Sequence, residues 1–158
     1  MTPYHYKNIL LWRHADAEIL STGQEDFDRT LTSKGVAQAK GMSRWLNKKM
    51  PRQAAVFSSP ALRAQQTVEH LKYRFQTIKE LHPNASLETV LQMLHDFDGY
   101  ESVLLVGHQP LLGRLAAYLL GLNDREFSIK KGAVWWLRLG SREVNRYQLY
   151  TIQTPQLL

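Results

Sequence analysis

The sequence predicts an α/β protein, a three-layer α/β/α sandwich around a largely parallel sheet. Three observations carry that expectation. Apolar runs of strand length recur at residues 9–12, 54–58 and 102–106. Each is followed, after a polar join, by apolar residues at helical spacing. Proline and glycine punctuate the joins at Pro51, Pro60, Pro110 and Gly121. Strands that alternate with helices build parallel sheets, because two parallel strands need a crossover between them and the crossover helix covers a face.

The elements follow in order. Ile9, Leu10, Leu11 and Trp12 read as a buried strand, and a polar loop spans 16–30. Thr32 can cap a helix that runs to about Lys48, with Val36, Ala39, Met42, Trp45 and Leu46 along one face. Gly35 and Gly41 weaken that helix slightly, and Pro51 marks its end. Residues 54–58 form a second strand. Pro60 sits where prolines open helices, and 61–75 reads as helical. Ser86 caps a helix over 87–97 with Glu88 in its first turn, and Asp98-Gly99 ends it. The cleanest buried strand is 102–106. Pro110 opens a helix through Leu120 that Gly121 closes. Residues 133–139 and 147–152 complete the set as strands. Trp135 and Trp136 must face opposite sides of theirs, so one ring is expected in the core.

Length and composition set the bounds. At 158 residues the chain fits one domain, 1–158, with no sizeable lid insertion. The absence of cysteine excludes disulfides, thiolate catalysis and cysteine-ligated metals. No His-Glu-x-x-His or comparable spacing suggests a metal site, so no metal and no cofactor are expected. No apolar run approaches the roughly 20 residues that span a bilayer, and residues 1–8 lack the apolar stretch of a signal peptide. The expectation is a cytoplasmic protein without membrane contact. A formal charge of +6 suits an acidic partner. The basic residues are scattered, however, and no nucleic-acid signature appears, so nucleic acid is not expected.

The functional signal lies where reactive side chains fall. The first strand runs into Arg13-His14, the second into Ser59-Pro60 with Arg63 in the next helical turn, and the third into Gly107-His108. In open α/β sheets ligands bind beyond the carboxyl ends of the strands, so three segments can deliver two arginines and two histidines to one crevice. Arginine presents a planar charged fork matched to phosphate oxygens. A neutral imidazole can attack phosphorus and form a covalent intermediate that water hydrolyses. A second, protonated histidine can donate to the phosphoryl oxygens. Helix N-termini after Pro60 and Pro110 add backbone N–H groups. Any one of these residues alone reads as structural or surface; their shared position past buried strands carries the inference.

These residues resemble the histidine phosphatase, or phosphoglycerate mutase-like, superfamily. Its Arg-His-Gly hallmark stands here as Arg13-His14-Ala15. Its Ser-Pro-x-x-Arg-x-x-Gln-Thr segment is matched from Ser59 through Arg63 to Thr67, its Gly-His by Gly107-His108, and its Arg-x-Leu-Thr-x-x-Gly by Arg29 through Gly35. The short length and the Arg-His-x-Asp-Ala opening are similar to the small SixA-type phosphohistidine phosphatases. The resemblance implies His14 as nucleophile, with Arg13, Arg63 and His108 forming the phosphate pocket. It implies a phosphorylated protein or a small phosphate ester as partner.

Two departures stand out. Ala15 replaces a glycine. A dedicated acid for the leaving group is also missing, since Gln109 stands where some members carry Asp. Asp16 and Glu80 are candidate substitutes that read first as surface carboxylates, and Arg29 is an accessory cation. A phosphorylated imidazole leaves as a neutral ring, whereas an alkoxide needs a positioned acid. The pattern therefore favours phosphohistidine in a protein. The alternatives are a phosphomonoesterase for a small-molecule ester and a catalytically silent phosphate-binding or adaptor module.

Overall fold

The computed structural model describes residues 5–141 and 146–158. One six-stranded sheet organises them, in the order β3-β2-β4-β1-β5-β6. The strands are β1 (Asn8–Arg13), β2 (Ala55–Ser58), β3 (Gln76–Thr77), β4 (Ser102–Gly107), β5 (Val134–Leu139) and β6 (Tyr147–Gln153). β1, β2, β3 and β4 are mutually parallel, while β5 and β6 are added antiparallel at one side. The helices are α1 (Ser33–Lys49), α2 (Leu62–Val68), α3 (Leu87–Asp96) and α4 (Leu111–Leu119).

Period-two alternation sorts the strand residues into two cores. Ile9 and Leu11 of β1, with Val103 and Leu105 of β4, pack with α3 and α4 through Val90, Leu94, Leu112 and Leu115. Leu10 and Trp12, with Leu104 and Val106, face Met42 and Leu46 of α1 and Ala64 of α2. Both faces of the central strands are therefore apolar, which is why those strands read as unbroken hydrophobic runs. Trp136 is buried on the α1 side, and Trp135 is partly buried against the other core beside Phe127.

Most ends follow local chemistry. The Thr32 hydroxyl accepts from Gly35 N at 3.0 Å, and Ser86 accepts from Thr89 N at 3.2 Å. Gly121 has φ near +79 just past α4. The helix expected over 61–75 is the main correction. Its N-cap is Ala61, and it ends at Val68. Ala64, Val68, Leu71 and Phe75 do share one core at helical spacing, and no glycine or proline interrupts them. Yet residues 69–73 turn and bend, and Tyr73 donates to the Met50 and Pro51 carbonyls. The segment then returns as β3, a two-residue strand too short to show a period. His70, expected in that helix, lies beyond its end.

Gly35 holds the loop that precedes α1. A Cβ there would overlap the Asp16 carbonyl oxygen, and the Asp16 carboxylate accepts from the Thr32 hydroxyl at 2.7 Å. The gain of about 1 kcal/mol in helix propensity on adding a methyl is outweighed by that backbone clash. Gly35→Ala is expected to lower stability by about 2 kcal/mol, read as a shifted urea midpoint at unchanged slope.

Candidate active site

β1, β4 and β2 end side by side. Arg13 pairs in register with Gly107, His14 N donates to Gly107 O at 3.0 Å, and Ser59 N donates to Val106 O at 2.9 Å. Just past these ends the His14 and His108 rings lie 5.1 Å apart between centroids, tilted by 52°. His14, His108 and Arg63 are all buried, and the guanidinium groups of Arg13 and Arg63 act electrostatically on both rings. The four residues singled out past the strand ends therefore come together in space.

The His14 ring is oriented by one contact. Its Nδ1 lies 2.8 Å from the carbonyl oxygen of Ala15. A carbonyl can only accept, so Nδ1 carries the proton and Nε2 of the neutral ring keeps its lone pair. Burial, together with the charges of Arg63, Arg13 and Arg29, pushes the His14 pKa down to about 4, against the opposing pull of the Ala15 carbonyl. The ring is thus neutral at physiological pH with a free, sterically defined nitrogen. Ala15 N is held in turn by the Thr67 hydroxyl at 3.0 Å, and that hydroxyl donates to Arg63 O at 2.7 Å. One threonine therefore ties the His14 loop to the helix that carries Arg63. The Ala15 methyl is accommodated in a small buried cluster with Ala17, Leu31 and Ala39.

Unsatisfied donors concentrate here. Among the described residues, the buried side-chain atoms without a protein partner are Arg13 Nε, Arg63 Nε, His108 Nδ1 and Ser43 Oγ. Three of the four belong to this cluster, and an orphaned buried polar group is costly enough to signal a ligand. Other polar atoms of the cluster are held by the protein. Arg13 Nη1 donates to Ile129 O at 2.9 Å, and His108 Nε2 lies 2.8 Å from Ser59 Oγ. Burial, reinforced by His14 and the two arginines, pushes His108 down to about 2, so it is neutral rather than protonated. A bound dianion would oppose that shift.

The polar loop adds a residue that the sequence pattern did not single out. Its 3-10 turn at Asp26–Asp28 sets Asp26 on Arg63, with Nη1 donating to the Asp26 carbonyl at 2.9 Å and Nη2 meeting Oδ2 at 3.1 Å. Arg29 Nη1 meets the other carboxylate oxygen at 3.3 Å. Burial raises the Asp26 pKa, but the charge and hydrogen bond of Arg63, with Arg29, overcome it and leave a net lowering. An exposed turn residue 37 positions away carries no periodic signal, so only the fold reveals it. Of the three accessory candidates, Arg29 lies near enough to act on His14. Asp16 is engaged with Thr32 and Lys131. Glu80 lines a groove with Thr89, Gln92 and Asp96 of α3. Gln109, at the position where an acid was sought, is structural. It donates to Phe127 O at 2.7 Å and accepts from Gly113 N at 2.9 Å.

The arrangement offers a neutral nucleophile amid fixed cationic donors, which suits capture of a phosphoryl group. Among the described residues no group of three or more His, Cys, Asp or Glu is placed to hold a metal ion. No described helix is long and apolar enough to cross a membrane. The two depressed histidines also set a pH dependence. Unfolded, they bind protons near pH 6.5; folded, they resist until well below it. The unfolded state therefore gains protons first, and stability falls as pH drops through 6.5 toward 4. Thermal midpoints are expected to decline between pH 7 and 4.5, with a shallower decline in a His14→Gln, His108→Gln double variant.

Known proteins resemble this chain in both sequence and fold. Residues 9–88 match the model of the histidine phosphatase superfamily (branch 1), a span that includes Arg13, His14 and Arg63. The chain is 33% identical to the phosphohistidine phosphatase SixA of Escherichia coli strain K12, over 70% of this chain and 73% of that protein. A solved structure of the protein histidine phosphatase SixA complexed with tungstate superposes with a TM-score of 0.79 at 28% identity, covering 95% of this chain and 98% of that one. The alpha-ribazole phosphatase of Shigella flexneri shares the fold, with a TM-score of 0.71 at 18% identity over 94% and 96% of the two chains.

Proposed function

Because the chain belongs to the histidine phosphatase superfamily, we propose that it removes phosphate from phosphohistidine in a protein partner, with His14 as the nucleophile and no metal. In the first step His14 Nε2 attacks phosphorus, the P–N bond to the substrate imidazole breaks, and that ring leaves with a proton from solvent. In the second step water attacks the phosphoryl group on His14, the new P–N bond breaks, and inorganic phosphate is released. Arg13, Arg63 and His108 hold the three equatorial oxygens in both steps. The observation that carries the reading is the His14 ring itself, neutral and hydrogen-bonded at Nδ1, among orphaned guanidinium donors.

The preference for an N–P bond rests on the acids. Asp26, the carboxylate that touches Arg63, is held ionised by two arginines and has no proton to give at neutral pH. Gln109 cannot serve as an acid at all. A site in this state suits a leaving group that brings its own basic nitrogen. The likeness to SixA supports the same substrate class. α3 is committed to the sheet face through Val90, Leu91 and Leu94, which supports an open crevice able to take a side chain on a protein surface.

The test is kcat/KM on a phosphohistidine-bearing phosphotransfer protein against a panel of alkyl phosphates, in EDTA. General acids contribute roughly 10²–10⁴-fold where they act, so the N–P substrate is expected to lead by at least about 100-fold. Aryl phosphates should fall between the two. Alkyl esters turned over as fast as phosphohistidine would shift the reading to a small-molecule phosphomonoesterase.

A further inference from the structure

A second surface lies at the other end of β2, away from the strand ends that carry the site. β2 begins at Ala55, but β3 pairs with it only at Phe57 and Ser58. Ala55 and Val56 are paired to β4 on one side and have no strand partner on the other among the described residues. The residues before β3 bend at 71–73 and run without strand pairing at 74–75, and they form the opposite wall of a groove of about 600 Å³. An interrupted sheet edge of this kind accepts one sort of guest well, an extended chain that continues the hydrogen-bond ladder.

The lining says which extended chain. Three cations, Arg52, Lys72 and Arg74, border the groove, all are exposed, and no Asp or Glu is among its lining residues. Among the described residues none of the three is in an ion pair. The nearby Glu101 is engaged by Lys7 at 3.0 Å. The floor is aromatic. Phe97 and Tyr100 stack with centroids 5.8 Å apart, and Tyr100 remains 43% exposed. A stacked ring pair, exposed at Tyr100 and half-buried at Phe97, set among unpaired cations beside a strand edge that lacks a partner, is matched by a strand that alternates acidic and apolar side chains.

We propose that this groove docks an extended acidic segment of a partner protein, added along the open edge of β2, with its carboxylates on Arg52, Lys72 and Arg74 and its apolar side chains on Phe97 and Tyr100. The site is separate from His14 and does not depend on which phosphorylated group the active site takes.

The test uses the full chain and a fluorescein-labelled ten-residue peptide of alternating Glu and Val with one Tyr. Fluorescence anisotropy at 50 and 200 mM salt is compared with a peptide in which Gln replaces every Glu, with one carrying a central proline, and with a single-stranded oligonucleotide of equal charge. The acidic peptide is expected to bind in a salt-sensitive way. The Gln and proline versions should bind at least about fivefold more weakly, because one loses the charge and the other the ladder. Arg52→Glu, Arg74→Glu should weaken binding about tenfold or more, while hydrolysis of p-nitrophenyl phosphate stays unchanged and reports an intact fold. Amide shifts on titration should centre on residues 54–57. Absence of binding, equal binding by the charge-reversed protein, indifference to the proline, or tighter binding of the oligonucleotide through the same residues would each overturn the proposal.

Discussion

His14→Ala is expected to lower turnover of any phosphorylated substrate by at least about 10⁴-fold, while inorganic oxyanions still bind within about tenfold of the wild-type affinity. The first figure follows from the proposed role, since removing a nucleophile removes the covalent route altogether. The second follows from the geometry. Arg13 is anchored by Ile129 O, Arg63 by Asp26, and His108 by Ser59, none of them through His14. His14→Asn is the better-folded companion, because its amide can still donate to the Ala15 carbonyl that now holds Nδ1. Both variants should also fail to retain an alkali-stable, acid-labile phosphoryl label when wild type, quenched during turnover, retains one. Retained label in His14→Ala would assign the covalent step elsewhere. An unlabelled wild type with full activity would point to direct attack by water.

The strand ends were legible because each combines an unbroken apolar run with a reactive residue at a fixed offset, and a parallel sheet brings such ends together whatever the loops do. Arg13, His14 and His108 needed only that argument. Arg63 needed one more turn of helix after Ser59, and the segment over 61–68 supplies it. The sequence misleads after Val68, where Leu71 and Phe75 keep helical spacing although the chain has left the helix. Spacing records which core a residue joins, not the backbone that takes it there. What could not be read was every contact made by an irregular loop. Asp26 on Arg63, Thr67 on Ala15 and Gln109 on Phe127 each join residues far apart or already spoken for by another pattern. Gly35 looked like a weak point in its helix, and Gly113 drew no reading at all. Each is where another backbone comes too close for a Cβ, the Asp16 carbonyl in one case and the Phe127 carbonyl in the other.

Arg63→Lys is expected to lower kcat/KM by about 10²-fold or more although the charge is kept, since loss of one oriented donor to a transferring group costs about that much. The fork matters because its parts are already divided. Nη1 and Nη2 are held by Asp26, and Nε is buried with no partner. A lysine has one nitrogen and would satisfy the carboxylate or the phosphoryl group, not both. This makes Asp26 the informative counterpart. Its carboxylate lies against the same guanidinium that holds the phosphoryl dianion in the proposed mechanism, so there it would repel the substrate while it braces the arginine. In Asp26→Asn the amide oxygen and the backbone carbonyl can still accept from Arg63, and the repulsion is gone. KM for an aryl phosphate is therefore expected to fall about threefold or more, with kcat little changed, as the removal of one partly screened like charge suggests. A tenfold or larger drop in kcat would show that the carboxylate itself acts in the chemical step, and a raised KM would show that bracing Arg63 outweighs the repulsion.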